Sequence, residues 1–84
     1  MDTRPEIYNF ITNNFLGAKE NNLSDDESLL EKGVIDSTGV MELILFLEET
    51  FKVSIEDDEI VPDNLDTINR ISQFVNSKLA KSAH

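Results

Sequence analysis

A chain of 84 residues has room for one small domain around one core and not for two. With 17 Asp and Glu against 7 Lys and Arg, its formal charge of -10 repels phosphate backbones and anionic bilayers, which argues against nucleic-acid binding and membrane insertion. The absence of cysteine removes a disulfide framework, a thiolate metal cage and any thiol nucleophile belonging to the chain itself.

The amino terminus carries Asp2, Arg4 and Glu6 where a secretory signal would be basic and then apolar, and the longest apolar run is Leu43–Leu47. The expected compartment is the cytoplasm. A hydrophobic share of 39% is enough for a fold, although so short a chain gains little more from burial than it loses in ordering.

Thr3-Arg4-Pro5-Glu6 reads as a helix start, with Thr3 accepting from a free amide, Glu6 reaching back and Pro5 tolerated in the first turn. Ile7, Phe10, Ile11 and Phe15 follow at helical spacing, and Gly17 supplies a stop, which predicts a helix over about residues 3–16. From Gly17 to Asp36 the apolar residues are sparse and aperiodic, the pattern of a long loop pinned by Leu29, Leu30 and Ile35. Gly33 is expected at positive φ, turning Val34 and Ile35 inward.

Asp36 can cap a helix whose first residue is Ser37, and Val40, Leu43, Ile44, Leu47 and Phe51 then mark its buried side through residues 37–51. The acidic stretch from Glu56 to Val61 predicts a short third helix, ended by Pro62. Asp66 or Thr67 caps a last helix over about residues 67–79, striped by Ile68, Ile71, Phe74 and Val75, with Ser82-Ala83-His84 fraying. The expectation is an all-α four-helix bundle, one domain over residues 1–84, with a long first loop and a short third helix.

With Ser37 set to zero on a helical wheel, Val40, Leu43, Leu47 and Phe51 fall between about 240° and 320°, while Thr38, Leu45, Glu42 and Glu49 lie near about 80–140°. Met41 and Glu48 sit on the shoulder beside Ser37. Met41 and Leu45 thus form an apolar strip rimmed by carboxylates, suited to a basic partner: charge speeds encounter and the strip retains the partner. Phe46 fits neither side and is expected against a neighbouring helix.

The run Gly33-Val34-Ile35-Asp36-Ser37-Thr38-Gly39-Val40-Met41-Glu42-Leu43 resembles the phosphopantetheine attachment site of the acyl carrier-like family, in which a serine just after an aspartate begins the second helix. Further matches follow in order: Leu47-Glu48-Glu49-Thr50-Phe51, Val53-Ser54-Ile55, Glu56-Asp57-Asp58-Glu59-Ile60 and Leu65-Asp66-Thr67-Ile68. The resemblance covers about residues 7–79. It implies a bundle of acyl carrier type and a stand-alone, monomeric carrier in which Ser37 bears 4′-phosphopantetheine, transferred from coenzyme A by a phosphopantetheinyl transferase. The terminal thiol of that arm would hold an acyl or aminoacyl group as a thioester, supplied by a loading ligase and consumed by a downstream acyltransferase or synthase. The partner face is expected to take in Thr38, Met41, Glu42, Leu45, Glu48 and Glu49, with Asp57 and Asp58 from the acidic stretch.

Within the family pattern, Thr38 stands where fatty-acid carriers commonly have a bulky apolar residue, and Gly39 where a polar one is frequent. Serine followed one residue later by glycine looks more like carriers of amino acids, including D-alanyl and peptidyl carriers. Gly39, placed on the helix surface, would allow close approach of a partner.

The chain needs no catalytic residue of its own for this role, because the modifying enzyme supplies base and metal. Asp36, occupied as a cap, is a poor base, and His84, at the extreme end, supports no Ser-His-Asp arrangement. Neither Asp36, Asp57 nor Asp63 opens a calcium-hand spacing, so no metal site is expected. The competing class is an acidic helical adaptor that binds basic proteins without covalent cargo.

Overall fold

In a computed structural model, which describes residues 2–15 and 24–82, the chain forms helices α1 (Arg4–Asn14), α2 (Ser37–Phe51), α3 (Pro62–Leu65) and α4 (Ile68–Ser82), with a 3-10 turn at Asp57–Glu59 before α3. No strand occurs among the described residues. The architecture is all-α. The predicted helix stop at Leu16 and Gly17, the first part of the loop, and Ala83-His84 lie outside the described residues.

The start of α1 differs from the capping box read in the sequence. Thr3 makes no side-chain cap; it is fully buried, and its hydroxyl pairs with the Ser72 hydroxyl at 2.8 Å. A buried hydroxyl goes to the partner that desolvation leaves it. The free Arg4 amide donates instead to Asp2 Oδ1 at 3.1 Å. The helix ends at Asn14 because Phe15 turns to an extended conformation (φ -126°, ψ 111°), its amide still donating to the Ile11 carbonyl at 3.0 Å.

Ile7 and Ile11 of α1 meet Leu43 and Leu47 of α2 and Ile68, Ile71 and Val75 of α4 in one core, each of them fully buried. Burying such side chains stabilises by about 1.5–3 kcal/mol each, before the ordering entropy is counted. The seam between α1 and α2 is aromatic: Phe10 stacks on Phe46 with ring centroids 4.1 Å apart, and Phe15 and Phe51 meet that pair edge-on. Phe46 therefore packs on a neighbouring helix.

The described part of the long loop is pinned by Leu29, Val34 and Ile35, which are buried, whereas Leu30 is exposed. Leu30 thus is not the pin its apolar side chain suggested, because the turn that buries Leu29 carries the next residue outward. Gly33 has φ 70°, a conformation that costs an L side chain about 1–2 kcal/mol, and the reversal it makes returns Val34 and Ile35 to the core.

The predicted third helix is divided. Residues 57–59 make a 3-10 turn closed by a capping box, with the Glu56 amide donating to Glu59 Oε1 at 2.9 Å. Pro62 then opens a helical turn instead of ending one. Proline suits the first position of a helix, where no amide hydrogen is needed, and it forces Val61 into the extended conformation seen there (φ -133°, ψ 155°). At α4 the Thr67 hydroxyl accepts the Arg70 amide at 3.0 Å, so Thr67 is the cap. α4 packs against α1, α2 and α3.

Candidate functional site

Ser37 is the first residue of α2 and is exposed. The chain reaches it extended at Asp36 (φ -110°, ψ -173°), whose carboxylate accepts the Gly39 amide at 2.7 Å and whose carbonyl accepts the Val40 amide at 2.9 Å. The amides of Ser37 and Thr38 have no acceptor within the helix. Ser37 thus stands at the positive end of a 15-residue helix whose first two amides have no helical acceptor, a setting that favours an attached anion. The Asp36 carboxylate, engaged with the helix it caps, is poorly placed to act as a base.

An apolar cleft of about 320 Å³ opens beside this hydroxyl. Ser37 and Met41 of α2 form one side, Leu30 and Ile35 of the loop the second, and Val61 and Leu65 the third. Ser37 is the one hydroxyl-bearing residue of the lining. An exposed alcohol, an anion-favouring helix start and an adjoining apolar cleft fit a phosphodiester-linked arm.

Along α2, Met41 and Leu45 are 53% and 57% exposed, and Thr38, Glu42 and Glu49 are exposed beside them. Glu48 is half-buried and spends a carboxylate oxygen on the Ile55 amide at 3.0 Å, bracing the exit of the helix. Asp57 and Asp58 are exposed on the 3-10 turn, just ahead of the cleft residues Ile60 and Val61.

Gly39 is not a surface residue. It is buried under the Phe15 ring, whose Cε1 would lie 2.8 Å from an added β-carbon. The close approach that glycine allows is made by the chain's own aromatic residue.

Two charged residues that the sequence reading left without a site role support the cleft. The Ser28 hydroxyl lies 2.8 Å from each carboxylate oxygen of Asp66, and the Leu30 amide donates to Asp66 Oδ1 at 3.1 Å. Asp66 precedes the true cap, Thr67, and that surplus of capping residues was the available signal. Glu59 pairs with Lys78 of α4, and the hydrogen bond from that ammonium, aided by one from the Glu56 amide, holds its carboxyl below the usual carboxylate range. Among the described residues, no cluster of three or more His, Asp or Glu could hold a metal ion, and no helix is long and apolar enough to cross a membrane. His84 lies outside the described residues.

Residues 11–75 match the family model of the phosphopantetheine attachment site. The chain is also similar to the D-alanyl carrier proteins of Streptococcus pyogenes serotype M5 (strain Manfredo), serotype M49 (strain NZ131) and serotype M1, each 42% identical over 50 residues. That similarity spans 60% of this chain and 63% of each relative, just under two thirds of their length. With most of its helical core inside the matched segment, the chain belongs to the phosphopantetheine attachment site family, whose cofactor is covalently bound 4′-phosphopantetheine.

Proposed function

We propose that Ser37 is the attachment point and that the chain is a carrier, a substrate of its partner enzymes and not itself a catalyst. The observation that carries this reading is the exposed Ser37 hydroxyl at the start of α2, inside the matched segment. The other serines of that segment are less suited. Ser28 is bonded to Asp66, Ser72 is buried against Thr3, and Ser24 and Ser54 lie in irregular segments without a helix start behind them.

The arm, when bound, supplies the thiol that this cysteine-free chain lacks and holds cargo as a thioester. The chain's own residues do the rest. The free amides at the start of α2 favour the phosphodiester charge, and Asp36 keeps that helix end in register. Thr38, Met41, Glu42, Leu45 and Glu49 present an exposed face to partners, joined by Asp57 and Asp58, while Glu48 contributes mainly by holding Ile55.

The partners are a phosphopantetheinyl transferase, a loading ligase and a downstream acyltransferase or synthase, and the cargo is an amino acid, D-alanine by similarity to the D-alanyl carrier proteins. That cargo reading draws on those relatives and not on Gly39, whose place under Phe15 is a packing matter. Incubation with coenzyme A and a permissive transferase should add one phosphopantetheinyl group by intact mass, and Ser37→Ala should receive none. Absence of the adduct under conditions that modify a control carrier would refute the reading.

A further inference from the structure

We propose that Asp66, between α3 and α4, is a positioning residue for the Ser37 hydroxyl, an inference that rests on Ser37 being the attachment point. Asp66 is half-buried and takes hold of the loop by both its side chain and its main chain. Its carboxylate accepts from the Ser28 hydroxyl and the Leu30 amide, and its carbonyl accepts the Leu29 amide at 2.7 Å.

Leu29 passes the constraint on. Its carbonyl accepts the Val34 amide at 2.9 Å and the Ile35 amide at 3.3 Å, closing the turn that Gly33 makes. Ser28 Oγ also accepts the Glu31 amide at 3.1 Å, so the same turn is tied at its beginning. Ile35 is followed by the cap Asp36 and then by Ser37. A hydrogen-bonded route thus runs from the α3–α4 junction to the first residue of α2.

The buried side chains of Leu29, Val34 and Ile35 already hold the loop on the core, but apolar contact is not directional and tolerates sliding. Hydrogen bonds to a carboxylate are directional and charge-assisted, so they set the register of the loop over that core. Register matters here because group transfer to an alcohol needs the reacting atoms within about 3.5 Å, and a displacement of about 1 Å costs up to about 100-fold in rate. Leu30 and Leu65, next to the bonded atoms, are walls of the cleft, so the same anchor fixes the cleft's shape beside the hydroxyl.

The test measures initial rates of phosphopantetheinyl transfer from coenzyme A to the full chain, over a range of carrier concentrations. Asp66→Ala, Asp66→Asn and Ser28→Ala are compared with Val75→Ala, which weakens the core without touching the loop's hydrogen bonds, at a temperature where each variant is folded by circular dichroism. Asp66→Ala should lower kcat/KM by about tenfold or more, chiefly in kcat, with Asp66→Asn recovering most of it because an amide oxygen still accepts. Val75→Ala should keep the wild-type rate, and amide exchange at Leu30, Val34 and Ile35, relative to the core amides, should quicken in Asp66→Ala and Ser28→Ala and not in Val75→Ala. Equal rates for Asp66→Ala and wild type, or an equal loss in Val75→Ala, would overturn the inference. Should Asp66→Ala not fold, Ser28→Ala decides: a several-fold lower rate supports the positioning role, and a wild-type rate overturns it. A wild-type chain that takes no group at all would instead overturn the reading of Ser37, a result distinct from either.

Discussion

The Phe15 ring covers the α-carbon of Gly39 so closely that a β-carbon there would meet Cε1 at 2.8 Å. Alanine gains about 1 kcal/mol of helix propensity over glycine, but overpacking costs about 1–3 kcal/mol. Gly39→Ala is therefore expected to destabilise by about 1 kcal/mol in the wild-type background and to stabilise in a Phe15→Ala background. Denaturant melts of the four chains give the sign in each case, and a stabilising Gly39→Ala in the wild type would contradict the packing argument.

Lys52 closes α2 in the left-handed conformation, at φ 59° and ψ 45°. That conformation costs a residue with a β-carbon about 1–2 kcal/mol, partly offset by the larger chain entropy glycine loses on folding. Lys52→Gly should raise stability by about 0.5–1 kcal/mol, a shift in Tm of about 2–8 °C for a domain of this size. A lower Tm would show that the Lys52 side chain contributes more than its backbone costs.

Carboxylates on α2 should divide into two groups by what they change. Charge reversal at Glu42 or Glu49, both exposed, should slow association with a transferase, and the loss should shrink as added salt shortens the screening length below about 8 Å. Glu48→Ala should instead cost about 1–3 kcal/mol of stability, because the Ile55 amide loses its acceptor. Stopped-flow rates at two ionic strengths and thermal melts separate the two effects.

Glu59 supplies a pH dependence whose sign follows from Lys78. The ammonium hydrogen bond, then the Glu56 amide, hold the folded-state pKa below the ordinary value of an unfolded glutamate. The stabilisation is fully present above that value and disappears as pH falls through the lowered one. Lys78→Gln should return the Glu59 carboxyl towards its ordinary titration and remove this part of the acid sensitivity. Carboxyl-carbon NMR between about pH 6 and about pH 2 reads it directly, and an unmoved Glu59 midpoint in Lys78→Gln would exclude the pair as the cause.

Most of the helical framework is legible in periodicity. The Val40 to Phe51 spacing marks α2 from end to end, since a cap aspartate and a run of apolar residues leave little choice of register. Local signals read one at a time were less decisive. Pro62 has two lawful uses, stopping one helix or opening another, and only the packing of Leu65 on the core selects the second. Gly39 looked exposed on a wheel because a wheel does not include Phe15, which arrives from α1. Ser37, the proposed attachment point, is readable because its signal is local, a hydroxyl just after a cap, whereas Asp66 bonds to residues distant in the chain and its partner, Ser28, carries no pattern of its own.

The buried hydroxyls of Thr3 and Ser72 constrain how such a chain can drift. Removing one of them strands the other without a partner, at a cost of about 1–3 kcal/mol, while removing both together can be nearly neutral. Substitutions at the two positions should therefore be tolerated as a pair and selected against singly. A joint history of that kind would record the closing of α1 onto α4, and would carry no information about cargo.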